Sequence, residues 1–218
     1  MFKFETYNIA ECEQINLPGK RLYKTPEGNM YPSVTTVLGS IPNPELEKWK
    51  QRVGEVAASK ISKAATDRGT LIHGWAEAYL KSLATRASIT QNVAWRMFMN
   101  MTPYLSKVEV VHALEQRLWS DKLRVAGTVD LIAQIDGSKY IIDFKTSNSY
   151  KSKEHIDSYF MQAACYSVMW YERTGMAISK CKIWITCEEP EILLEYEEDL
   201  RPWIIKFKEV RDNYDRCN

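Results

Sequence analysis

Two short stretches carry the chemistry this sequence can offer: Gly127-Thr128-Val129-Asp130 and, further on, Asp143-Phe144-Lys145-Thr146. Residues two apart in a strand share a face, so Asp143 and Lys145 would stand side by side while Phe144 turns into the core. Between the stretches, Asp136-Gly137 is a hairpin signal that can fold Asp130 back alongside them. Paired carboxylates supply hard oxygen ligands for Mg²⁺ or Mn²⁺, and an adjacent ammonium can offset phosphate charge or help position an attacking water. Such a set suits metal-assisted phosphodiester hydrolysis. A bare Asp-x-Lys is more commonly an ion pair on a solvated strand. Here Tyr140-Ile141-Ile142 and Phe144 mark a buried strand, where unpaired charge is costly and needs a reason.

The elements that must position these residues are legible in outline. Pro18-Gly19, Pro26-Glu27-Gly28 and Pro32 make the first forty residues a loop-rich lead-in with a short hairpin, and Ile41-Pro42-Asn43-Pro44 follows before a helical stretch. From Glu45 to about Leu83 the pattern is helical, and Thr66 or Asp67 is expected to break it into two helices by capping the second. A third helix is expected from Ser88 to Met101. Three consecutive antiparallel strands are expected at 107–119, 124–135 and 139–145, then a helix over 154–174 ending at Gly175. Strands at 180–187 and 191–197 and a closing helix at 200–215, with Pro202 in its first turn, complete an α/β domain with a helical N-terminal half.

Taken together, several segments give the chain a strong resemblance to the PD-(D/E)xK nuclease superfamily. They are Pro32-Ser33-Val34-Thr35, Arg68-Gly69-Thr70-Leu71-Ile72-His73 with Glu77, Glu115, the two acidic stretches, and Gln162 with Tyr166. Within the superfamily the chain is similar to the RecB-type branch, the group of the mitochondrial genome maintenance exonucleases and their phage relatives. Val129 stands where the superfamily's name has a proline, but this branch commonly reads Gly-x-x-Asp. The resemblance implies a restriction-endonuclease-like core: a central mixed β-sheet flanked by helices. It also implies a single nuclease domain over 1–218, with 1–104 as lead-in and helical part and 105–218 as core.

Carried over to this chain, the resemblance makes His73, Asp130 and Asp143 metal ligands together with the Phe144 carbonyl, and makes Lys145 the catalytic lysine beside Asp130 and Asp143. An imidazole ligand would favour Mn²⁺ over Mg²⁺. Glu77, one turn after His73, would orient the imidazole or simply be exposed. Glu115 would be a ligand, a water-positioning acid or a plain surface glutamate. Gln162, Tyr166, Thr146, Arg68 and Ser33 would hold the DNA, although a helix face packed on the sheet also accounts for Gln162 and Tyr166.

The composition sets bounds on function. A net charge of +1 with 26% charged residues excludes a broadly basic DNA-binding surface, so any groove must be local. The basic stretch Lys48, Lys50, Arg52, Lys60, Lys63 and Arg68 could track phosphates, with Trp49, Trp75 or Tyr79 stacking on bases. No long apolar run or signal-like N-terminus is present, so the protein is expected to be soluble and intracellular, without a membrane partner. Five cysteines, an odd number, argue against a disulfide framework. Cys12, Cys181, Cys187 and Cys217 match the iron–sulfur spacing of some relatives only loosely, since Trp184 stands where a cysteine is wanted, and no cluster is expected. The expected activity is a metal-dependent exonuclease on single-stranded DNA ends or flaps. The alternatives are a double-strand-specific exonuclease or structure-specific endonuclease on the same fold, and a non-catalytic DNA-binding recombination accessory module.

Overall fold

A computed structural model describes residues 2–83 and 93–217. In chain order the elements are β1 (Lys3–Phe4), β2 (Glu13–Leu17), β3 (Lys20–Lys24), β4 (Met30–Pro32), α1 (Val34–Leu38), α2 (Pro44–Val53), α3 (Glu55–Leu80) and α4 (Val93–Leu105). There follow β5 (Val110–Ser120), β6 (Val125–Ile135), β7 (Ser138–Ser149), α5 (Asp157–Thr174), β8 (Lys180–Glu189), β9 (Leu193–Asp199) and α6 (Arg201–Cys217). A mixed sheet takes the order β1-β5-β6-β7-β8-β9, and β2-β3-β4 form a small antiparallel sheet.

β5, β6 and β7 are the expected antiparallel run. Asp136 and Gly137 both adopt positive φ, 49° and 72°, which a two-residue turn of this hand requires, and Ile135 pairs directly with Ser138. β8 returns parallel to β7, and α5 makes the crossover between them. Gly175, at φ 73°, ends α5 and donates its N–H to the Tyr171 carbonyl at 2.8 Å.

The large sheet is covered on both faces. Residues such as Ile141, Ile183 and Cys181 pack under α1, α5 and α6 through Val37, Phe160, Trp170 and Phe207. Ile142, Phe144 and Trp184 pack on the other face against α3 and α4 through Ile72, Ala76, Met97 and Phe98. Phe144 thus turns away from Asp143 and Lys145 as the strand period demands, and its ring stacks on Trp184 at 5.8 Å. Burial of that side chain stabilises the fold by roughly 2 kcal/mol.

The helical half differs from expectation. α3 runs unbroken through Thr66 and Asp67, and the break falls at Gly54, whose φ of 82° closes α2. Thr66 returns its hydroxyl to the Ser62 carbonyl at 3.0 Å and Asp67 pairs with Lys63 at 2.7 Å, so neither caps a helix. Of the helix expected at 88–101, the part before residue 93 lies outside the described residues, and α4 continues to Leu105. α2 buries no residue, and α3 buries only Ala58 before it reaches Ile72. Trp75 and Tyr79, half-buried, meet Trp95, Phe98 and Phe2 in a ring cluster. No helix among the described residues is long and apolar enough to cross a membrane.

Candidate active site

The site lies where the large sheet forks. β6 and β7 pair from Ile135–Ser138 up to Leu131–Ile142, and beyond that point they part: the rest of β6 pairs with β5 and the rest of β7 with β8. The Asp130 carboxylate takes over at the fork and accepts the Phe144 N–H at 2.7 Å, a donor left over by the missing strand neighbour. Into the gap comes the start of α1, with Ser33 bridging to Ala126 in parallel. α5 closes the gap from one face of the sheet and α3 from the other, leaving a cleft of about 570 Å³.

His73 reaches the fork from α3. Its Nδ1 lies 3.4 Å from Glu115 Oε1 and 3.5 Å from Asp130 Oδ1, and its Nε2 lies 3.2 Å from the Phe144 carbonyl oxygen. The ring also meets Phe144 edge-on at 5.6 Å. Burial alone would push the imidazole pKa down, but the Asp130 and Glu115 carboxylates outweigh it and hold the group up at about 9. Glu115 makes its approach from a left-handed backbone, φ 47°, which is strained for a residue with a Cβ and is the kind of strain that gathers at functional sites.

His73, Glu115 and Asp130 each offer one ligand atom, and the three atoms lie within 4.8 Å of one another. Asp143 stands apart from this group. Its side chain is solvent-shielded, and among the described residues its carboxylate is ion-paired with the Lys145 ammonium alone. Burial raises its pKa to about 6, against the pull of Lys145 and with a further push from Asp130. Asp130 is likewise raised by burial, opposed by His73 and Lys145. Lys145, despite burial, is raised by Asp143 and Asp130, so the ammonium is the favoured form. Its Nζ also lies 5.1 Å from the Tyr159 ring centroid, near enough for cation–π attraction.

The set therefore combines hard oxygens, one imidazole and a buried carboxylate facing the Lys145 ammonium. That is the donor chemistry a divalent cation uses, and the residues present fit one. Glu115 was one of several readings from the sequence, and here it sits among the donors. The Glu77 carboxylate is engaged by Lys81 at 2.6 Å.

The other expected residues divide. Ser33, Thr146, Gln162 and Tyr166 all line the cleft. Ser33 also caps α1, accepting the Thr36 N–H at 2.9 Å. Gln162 donates to the Tyr166 hydroxyl at 3.1 Å, and both are buried. Arg68 is occupied differently: its guanidinium ties α3 to the sheet through Glu188 at 2.9 Å and through Asn148. Lys50 and Lys63 of the basic stretch are paired with Glu47 and Asp67.

Gln14, Arg21 and Tyr23 of the small sheet also line the cleft and were not anticipated, although the hairpin carrying them was. The Tyr23 hydroxyl donates to Gln14 at 3.1 Å and lies 3.4 Å from Thr128 Oγ1, across a separation of 105 residues that no local pattern encodes.

A fork in a mixed sheet, with an acid on each branch and a lysine beside one of them, is the arrangement the family comparison can be set against. The chain belongs to the PD-(D/E)XK nuclease superfamily, whose family model matches residues 48–213. Among curated proteins it is similar to mitochondrial genome maintenance exonuclease 1 of Homo sapiens, with 30% identity over 141 residues, 61% of this chain and 40% of that protein. The Mus musculus protein of the same name is 27% identical over 131 residues, 56% of this chain and 39% of its own length. An ATP-dependent helicase/nuclease polypeptide of Clostridium botulinum (strain Alaska E43 / Type E3) is 27% identical over 90 residues, 41% of this chain and 7% of that protein. The matched region thus spans well under half the length of each of these relatives.

Proposed function

We propose that the protein is a metal-dependent DNA exonuclease that hydrolyses phosphodiester bonds at single-stranded ends, with Mg²⁺ or Mn²⁺ as its cofactor. The observation that carries this reading is the convergence of His73, Glu115 and Asp130 ligand atoms within 4.8 Å at the sheet fork, with the Asp143–Lys145 pair alongside. A divalent cation held there would supply Lewis acidity at the scissile phosphate. His73, Asp130 and Glu115 would hold it, with the Phe144 carbonyl nearby and Asp143 available once Lys145 turns toward the substrate.

The chain's own groups do the rest. Lys145, paired with Asp143 in the resting site, presents an ammonium to the charge that builds on the phosphate. Asp143, released from that ion pair, has a carboxylate to accept a proton from the attacking water or to bind the cation. Gln162, Thr146 and Ser33 line the cleft with polar atoms for the strand, and Arg21 brings a cation from the opposite wall. The balanced overall charge leaves strand binding to these local groups.

The test is a time course on end-labelled single-stranded, blunt duplex, flap and circular oligonucleotides, with Mg²⁺ and with Mn²⁺, for the wild type, Lys145→Ala and Asp143→Asn. Cleavage that needs a free single-stranded end and falls by about 10²-fold or more in either variant is the expected result. Undiminished cleavage by both variants would remove the mechanism, and preferred cleavage of duplex or circular DNA would replace the substrate assignment.

A further inference from the structure

The cleft does not end at Lys145. Thr35, Lys145 and Gln162 line it, and all three also line an adjoining hollow of about 340 Å³ on the α5 side. Leu38 and Ser158 of that hollow in turn line a third, of about 690 Å³, between the α1–α2 connection and the β7–α5 connection. Lys145 thus stands where the cleft that holds the His73 group meets the first of two further hollows in a row, each sharing walls with the next. A strand cut at the phosphate beside Lys145 must place a nucleotide on each side of it.

The larger hollow has the chemistry of a base site. Ile41, Pro42 and Met161 give it apolar walls, and Tyr150 lies on its rim 57% exposed. Beside it the chain is pinned at the next residue, where the Tyr196 hydroxyl donates to the Lys151 carbonyl. An exposed aromatic ring next to an anchored backbone position is what a stacking platform needs. The charge on the walls is mixed, with Lys151 and His155 against Glu45, Glu154 and Asp157, and Asp157 is matched by Lys206 at 3.3 Å. Such a lining offers little to a phosphate and suits an uncharged aromatic group.

We propose that this hollow takes the base of the nucleotide next to the scissile phosphate, on the side away from His73, stacked on Tyr150. The proposal rests on the nuclease reading for its substrate, but it is open to a binding measurement that needs no turnover.

The probes are three single-stranded oligonucleotides: one intact, one with an abasic nucleotide at its 5′ end and one with it at its 3′ end, all phosphates kept. Binding is read by fluorescence anisotropy in EDTA, and cleavage rates are read separately with Mn²⁺. The wild type should prefer the intact strand over one of the two abasic strands by about tenfold in affinity, the usual size of one base–aromatic stack. Tyr150→Ala should lose that preference, and Tyr150→Phe should keep it. Each preference is a ratio within one protein preparation, so partial misfolding of a variant cancels. A wild type indifferent to both abasic ends would overturn the base site, as would a Tyr150→Ala protein that still discriminates. If binding discriminates but nothing is cleaved, the base site stands and the exonuclease reading falls.

Discussion

The carboxylate of Asp130 accepts the backbone N–H of Phe144 at 2.7 Å, at the point where β6 and β7 separate. One side chain therefore satisfies the donor exposed by the opening of the sheet and, with its other oxygen 3.5 Å from His73 Nδ1, belongs to the candidate metal group. The two duties can be pulled apart. Asp130→Asn keeps an oxygen for the Phe144 N–H but loses the charge, whereas Asp130→Ala loses both. Both variants are expected to lose metal-dependent turnover. The alanine protein should be less stable than the asparagine one by about 1–3 kcal/mol, the cost of a buried N–H left without an acceptor. Urea unfolding of the two variants decides it, and equal midpoints would show that the hydrogen bond contributes nothing.

His73 makes the metal-free protein sensitive to pH in a defined window. Burial alone would lower its pKa, but Asp130 and Glu115 raise it from 6.5 to about 9. A histidine whose folded pKa lies above its unfolded value stabilises the fold fully below pH 6.5, and that contribution disappears as the pH climbs through about 9. Melting temperatures in EDTA should therefore fall across this window for the wild type and stay flatter for His73→Gln. Metal binding must displace the same proton, so Mn²⁺ affinity by calorimetry should rise with pH over the same range, with protons released to the buffer. Affinity that is flat from pH 6.5 to 9 would separate His73 from the metal.

Glu115 holds its place at a cost. Its φ of 47° is a conformation that glycine adopts without penalty. Glu115→Gly should be more stable than Glu115→Ala by about 1 kcal/mol, because both lose the carboxylate and only alanine keeps the clash of Cβ with the backbone. Neither should bind Mn²⁺ as the wild type does. A glycine variant no more stable than the alanine one, by denaturant midpoint, would mean that the backbone there is unstrained.

What the sequence disclosed, and what it hid, follows from the range of the forces involved. The hairpin at Asp136-Gly137 and the shared face of Asp143 and Lys145 are local consequences of turn chemistry and strand period, and both can be read residue by residue. The break at Gly54 was misplaced to Thr66 because a threonine that hydrogen-bonds back to its own helix looks, in sequence, like one that caps the next. Glu115 could not be assigned without knowing that its backbone turns left-handed, and nothing in its neighbours announces that. The surroundings of Trp75 and Tyr79 depend on whether α4 packs over α3, a long-range fact; with Phe98 in place they lie half-buried against the core. Arg21 and Tyr23 line the cleft because the small sheet docks on β6, which only the assembled fold decides.

Gly127, the first residue of the motif that ends in Asp130, owes its identity to Tyr166. A Cβ built on Gly127 would lie 2.9 Å from Tyr166 Cε1 and 3.0 Å from its hydroxyl oxygen, closer than real Cβ contacts come. Tyr166 cannot easily yield, since it is buried between α5, which carries it, and the sheet, and its hydroxyl accepts from Gln162 at 3.1 Å. Gly127→Ala should therefore cost about 1–3 kcal/mol of stability, the usual result of forcing one extra methyl into a packed core. The displaced ring should carry Gln162 with it into the cleft, so DNA binding should weaken as well. Tyr166→Ala introduced beside Gly127→Ala removes the obstructing ring, and the two substitutions together should cost less than the sum of their separate effects. Denaturant midpoints for the single and double variants measure that coupling, and strict additivity would show that the glycine is there for some reason other than this contact.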